Sequence, residues 1–159
     1  MVQNLTQHLT RPRGWRARMS AEIERHRAEP FAWGQRDCAL GLAAGVVEAI
    51  TGVDLRGDWG GYRTAAGAAL ALRRAGYTCL GDAVADLLPE IHPSEAQLGD
   101  IALIEEGEIG ALAVVNGGTL LVLTEAGLGV RERAAATRAF EAGRERAAAA
   151  RAFAVGTEE

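Results

Sequence analysis

Two cysteines and three histidines hold most of the reactive chemistry available to this 159-residue chain. Cys38 follows Asp37 at the head of an apolar, alanine-rich stretch, Ala39 to Thr51, in which Leu40, Ala43, Val47 and Ile50 recur at three- and four-residue intervals. That spacing predicts a helix laid on a core, stopped by Gly52. Asp37 is then the helix cap, and Cys38 falls among the free backbone N–H groups of the first turn. There the positive end of the helix dipole stabilises a thiolate, the form of cysteine that acts as a nucleophile. A second reading stands beside this one, because cysteine is also a small hydrophobe that fills buried helix positions. Catalysis would require a base, and the candidates are His8 near the terminus, His26 in a first helix and His92 between Pro89 and Pro93. His92 is the base candidate if its loop folds over Cys38, and otherwise an exposed turn residue.

The segment Phe31-x-Trp33-Gly34-x-x-Asp37-Cys38, followed by an apolar helix, resembles the nucleophile segment of NlpC-like (papain-like) cysteine peptidases. Leu98-Gly99-Asp100-Ile101-Ala102 resembles the Gly-Asp-hydrophobic start of that family's central sheet. With Arg56-Gly57, Tyr62-Arg63 and a helix from Ala65 to Ala75, the chain is similar to a phage-encoded branch of the superfamily found among tail-assembly genes. The resemblance spans about Ile23 to Val130. It implies a cysteine nucleophile at position 38 and a histidine at the start of the strand after the Gly-Asp strand. Here that strand is Ile109 to Val115, and Gly110 or Ala111 stands at the histidine position. The family's Asp-Cys-Ser-Gly also departs, reading Asp37-Cys38-Ala39-Leu40.

What the resemblance implies is therefore a structural or adaptor component of a phage or phage-like tail tip with a degenerate peptidase fold. Its partners would be other tail-tip or hub proteins, and it would be made in the host cytoplasm and reside in the virion. The alternative is an active cysteine hydrolase that cleaves peptidoglycan stem peptides, with Cys38 as nucleophile and His92 or a partner's residue as base. A third reading is a bacterial binding domain that shares only the helix-plus-sheet pattern.

The elements that must position these residues divide the chain in two. A basic opening, Arg11, Arg13, Arg16 and Arg18, leads to a predicted helix from Ser20 to Ala28, with Ser20 as its cap; it reads as a solvated face or a docking edge, with Trp15 as a possible anchor. Thr64 caps a helix through Ala75, and Gly81-Asp82 opens a short one ended by Pro89. After Asp100 the character changes. Ile101 to Ile104, Leu112 to Val115 and Thr119 to Leu123 are short apolar runs separated by Glu-Gly and Asn-Gly turns, which predicts an antiparallel meander. Helices first and strands later argues for an α+β fold, a nucleophile-type helix packed on a small antiparallel sheet. The sequence Arg131 to Phe140 recurs as Arg144 to Phe153, offset by thirteen residues, a local duplication of which one copy ends the domain and the other adds an alanine-rich helix or tail. The expected organisation is a basic arm over 1–18, an NlpC-like domain over 19–130 and a duplicated segment over 131–159 that partly closes it.

Composition sets the remaining bounds. The chain is 48% hydrophobic, enough for one core, and carries a net charge of −4, so no global basic field attracts nucleic acid or anionic lipid. No run approaches the roughly 18 apolar residues of a membrane span, and residues 1–10 lack the apolar run of a secretory signal. Cys38 and Cys79 are far apart and not in a CxxC pattern, so neither a disulfide framework nor a zinc site is expected, and no cofactor is implied. Cys79 reads as core or near-surface filler, and Trp33 and Trp59 as packing anchors under their turns.

Overall fold

A computed structural model describes residues 6–146. Helix α1, Trp15–Ala28, is capped six residues earlier than the Ser20 cap predicted, at Gly14, whose φ of 87° ends the preceding extended segment. The reason lies on its inner face: Trp15, Met19, Ile23 and His26 all bury, so the helix must begin far enough back to bring Trp15 to the core. The residues from Cys38 to Thr51 form one continuous helix. Its first stretch, Cys38–Ala43, is wide, with the Leu42 N–H donating to the Asp37 carbonyl at 3.0 Å across five residues, and α2 proper is Ala44–Thr51. Gly41 permits this, since a Cβ there would stand 2.7 Å from the Arg36 Cα. Helices α3, Ala65–Arg74, and α4, Leu80–Ala85, complete the helical half, α3 capped by the Thr64 hydroxyl, which accepts from the Gly67 N–H at 3.0 Å.

The sheet has six antiparallel strands: β1 Glu90–Ile91, β2 Ile101–Ile104, β3 Ala111–Asn116, β4 Thr119–Thr124, β5 Gly127–Glu132 and β6 Ala136–Phe140. They lie in the order β1-β6-β2-β3-β4-β5. The fold is thus α+β, helices gathered ahead of one antiparallel sheet. Alternation assigns the two faces. Ile101, Leu103, Leu112, Val114, Leu121 and Leu123 pack with Leu42, Val46, Val47 and Ile50 and with α1 in the main core. Ala102, Ile104, Ala113, Val115, Leu120 and Val122 form a second cluster on the other face. Cys38 packs against both.

The packing revises the expected three-part division. Residues 1–18 are not an arm over their described part: Arg11 and Trp15 are 5% and 4% exposed. Trp15 is an internal anchor, not a docking one; its indole N–H donates to Glu145 Oε2 at 2.8 Å, and the Arg11 and Arg16 guanidiniums lie over its ring at 4.3 and 4.4 Å. Arg18 is likewise tied down, donating to the Ala49, Arg13 and Pro12 carbonyls. The fold runs on past residue 130. The first repeat copy supplies the end of β5 and all of β6, which inserts between β1 and β2 with Ala139 and Phe140 fully buried. Alanine and arginine favour helix in isolation, but β2 offers an open ladder and the core a slot for Phe140, and tertiary pairing overrides propensity. The second copy lies outside the described residues beyond Arg146.

One polar node ties the ends together. Asp100, fully buried, accepts from Arg11 Nη2 at 3.0 Å, from both Arg144 Nη atoms at 2.8 Å, from the Ala142 N–H at 2.9 Å and from the Gln97 N–H at 2.8 Å. Arg11 also donates to the Ala142 and Leu98 carbonyls. The aspartate of the Gly-Asp turn therefore holds both ends of the described chain against the start of β2.

Candidate functional site around Cys38

The site is built on the turn before the long helix. Asp37 is 2% exposed and saturated with donors: its Oδ1 accepts from the Ala39 and Leu40 N–H groups at 3.1 and 2.8 Å, and its Oδ2 from the Gly34 N–H at 3.0 Å and the Tyr62 hydroxyl at 2.7 Å. Gly34 is required there. Its φ is +79°, and a Cβ would lie 2.3 Å from the Tyr62 carbonyl oxygen. The glycine-rich loop bearing Tyr62 is held to the same helix by Arg56, which donates from Nε to the Leu40 carbonyl at 2.7 Å and pairs with Glu48 and Asp54. Burial pushes the Tyr62 phenol up, and the Asp37 carboxylate adds to this, so Tyr62 is a fixed donor.

Cys38 stands at the helix mouth with its sulfur toward the sheet. Its Sγ accepts from the Leu112 N–H at 3.4 Å, at the start of β3. Burial pushes the thiol up to about 12, the Leu112 N–H only partly offsetting this and Asp37 adding to it. A cavity of about 430 Å³ opens over it, lined on the helical side by the Phe31-to-Leu40 turn and on the sheet side by Gly110, Ala111 and Leu112. Among the described residues no imidazole lines this cavity.

The three histidines lie elsewhere. His92 is exposed, caps the short turn Pro93–Glu95 by accepting from the Ser94 N–H at 3.1 Å, and contacts Ser94 Oγ at 2.7 Å. It does not line the cavity, so the structure does not bring it to Cys38; the two flanking prolines hold its turn beside β1, at the far edge of the sheet. His8 is exposed. His26 is buried behind the long helix, its Nε2 2.6 Å from Glu22 Oε2, with no hydrogen-bond partner for Nδ1. Cys79 is partly buried, 3.8 Å from Arg138 Nη1. No group of three His, Cys, Asp or Glu side chains placed to hold a metal occurs among the described residues, and none of their helices is long and apolar enough to cross a membrane.

Sequence reasoning brought Cys38 and Asp37 together but did not assign Tyr62 and Arg56 their roles. Both belong to the Arg56-Gly57 and Tyr62-Arg63 pairs, and their position in a glycine-rich loop was the available signal.

These features define an α+β domain in which a capped helix-start cysteine meets the backbone of an antiparallel sheet at the floor of a largely apolar cavity. The chain belongs to the family described as Domain of unknown function (DUF6950), matched over residues 10–142. A solved structure of the NlpC/p60 domain of the peptidoglycan hydrolase SagA is similar at 19% sequence identity and a TM-score of 0.48, covering 79% of this chain and 97% of that one. No curated protein matches.

Proposed function

We propose that this chain is a non-catalytic binding or adaptor domain, a degenerate NlpC-like peptidase, and that it serves in the tail tip of a phage or phage-like particle. One observation carries the non-catalytic half: among the described residues no imidazole lines the cavity over Cys38, so the thiol faces the Leu112 N–H at 3.4 Å and no ring nitrogen that could take its proton. With its thiol pushed up to about 12, Cys38 is protonated at neutral pH, and the helix start alone does not make it a nucleophile. The tail-tip half rests on the sequence resemblance around Phe31 to Cys38 and Leu98 to Ala102.

The test has two arms. Muropeptides incubated with the purified chain and with Cys38→Ala should remain uncut by both; cleavage by the wild type alone refutes the non-catalytic reading and restores the hydrolase. For the tail-tip role, the chain should form a defined complex with a hub or tail-tip protein encoded beside it. A chain that stays monomeric and binds none of them overturns that half while leaving the first standing.

A further inference from the structure

The cavity over Cys38 has a chemical character of its own. Phe31, Trp33, Trp59 and Tyr62 all line it, and Phe31 meets Trp33 edge to face, with centroids 4.9 Å apart and planes at 86°. The arginines found over aromatic rings in this fold sit on Trp15 and Phe140, so among the described residues these four rings carry no cation. The carboxylates around the cavity differ in how they are answered. Asp37 is saturated by its four donors. Glu106 pairs with Arg131, and Glu108 with Arg73. Arg56, the cavity's own cation, is occupied by Glu48 and Asp54. Glu125 is the exception. It is exposed and in no ion pair among the described residues, and its Oε2 accepts from the Trp33 indole N–H at 3.0 Å.

An uncompensated carboxylate fixed against an aromatic pair, at the edge of an aliphatic cavity, is complementary to one class of ligand. We propose that the cavity binds an amphiphilic cation, an ammonium group on an aliphatic body. The ammonium would sit between Glu125 and the Phe31–Trp33 pair, where ring quadrupole and carboxylate act together. The body would lie against Leu40, Leu72, Val84 and Leu87, where apolar contact replaces water. A volume of about 430 Å³ suits an organic molecule more than a bare ion. The inference rests on the non-catalytic binding reading above, and muropeptide digestion reports on that reading separately.

The experiment titrates the purified chain with decyltrimethylammonium, decanoate and decyl maltoside below their micellar concentrations, following tryptophan fluorescence and heat. The cation should bind roughly tenfold more tightly than the other two. Glu125→Gln keeps an acceptor for the Trp33 indole while removing the charge, so it should cut the preference for the cation severalfold and leave decyl maltoside unchanged. Val84→Trp, which fills the cavity, should abolish binding of all three; Ala83→Trp serves as a second block if thermal melting shows that Val84→Trp is unfolded. Equal binding of cation and anion, an unchanged preference in Glu125→Gln, or full binding by a folded blocked variant overturns the proposal.

Discussion

Replacing Asp100 by alanine tests whether the fold depends on the node that joins its two ends. The carboxylate is fully buried and accepts five hydrogen bonds, while the Arg11 side chain is 3% exposed and that of Arg144 28%. Removal therefore strands a buried guanidinium, whereas Arg144 can turn to water. Burial already pushes the Arg11 guanidinium down from its usual range, and Asp100 is the main group opposing this, with Glu145 a smaller one. Breaking a buried pair by deleting one partner costs about 3 to 5 kcal/mol, and the orphaned Ala142 N–H adds about 1 kcal/mol more. A loss of about 4 to 6 kcal/mol is a large part of the roughly 5 to 15 kcal/mol that holds a domain together. It should lower the melting temperature by about 10 °C or more. Urea unfolding followed by tryptophan fluorescence measures it, and Arg144→Ala is the comparison, expected to cost only about 1 kcal/mol because Arg11 still answers the aspartate. A loss below about 1 kcal/mol for Asp100→Ala would refute the reasoning, since it would mean that water or a rearranged carbonyl replaces the carboxylate freely.

Tyr62→Phe removes the hydroxyl donor to Asp37 and should destabilise by about 2 kcal/mol, the value for a hydrogen bond to a charged group, measured by denaturant unfolding. Gly34→Ala should cost more than about 2 kcal/mol in the same assay, because left-handed backbone and a clash with the Tyr62 carbonyl act together. Iodoacetamide should label Cys38 at a rate that rises about tenfold per pH unit through pH 10, as a thiol with a pKa of about 12 requires; a plateau near pH 8.5 would mean an ordinary thiol or a nearby base. Burial pushes the Glu22 carboxyl up, but hydrogen bonds from His26 and Arg25 outweigh it and hold the group at about 2. A depressed carboxyl stabilises the folded state above its unfolded pKa of about 4.3, and that contribution disappears as pH falls toward 2. Wild type should thus lose more stability than Glu22→Gln between pH 4.5 and 2 on melting by circular dichroism, and equal slopes would count against the pairing.

The central meander was legible because β2, β3 and β4 alternate between two cores, and Asn116-Gly117 marks the turn between two of them. The β6 strand was not. Its residues read as helix formers, and only the pairing of Ala139 with Ala102 and of Phe140 with Ile101 makes them a strand, contacts some forty positions apart that no local pattern encodes. The start of α1 was hidden for a related reason: Gly14 ends the preceding segment without a side-chain cap, so Ser20 offered the stronger local signal for a boundary that lies at Trp15. The site divides along the same line. Cys38 and Asp37 are adjacent in sequence, so helix periodicity fixed their relation. The bond from Tyr62 to Asp37 spans 25 positions, and the distance of His92 from the cavity depends on how β1 pairs with β6.

The Asp37-Cys38 pair looks like catalytic equipment in sequence, yet each residue has a sufficient structural occupation. Asp37 answers two N–H groups of the helix, the N–H of Gly34 and the hydroxyl of Tyr62, binding the turn, the helix and the glycine-rich loop into one unit. Cys38 packs against both cores at a junction where the sheet backbone approaches within hydrogen-bond reach of its sulfur. A serine there would place a hydroxyl among apolar neighbours with the Leu112 N–H as its donor. The motif can therefore be held by packing and capping alone, with no demand for proton transfer. That is why the geometry opposite the sulfur, more than the presence of the cysteine, decides what this domain does.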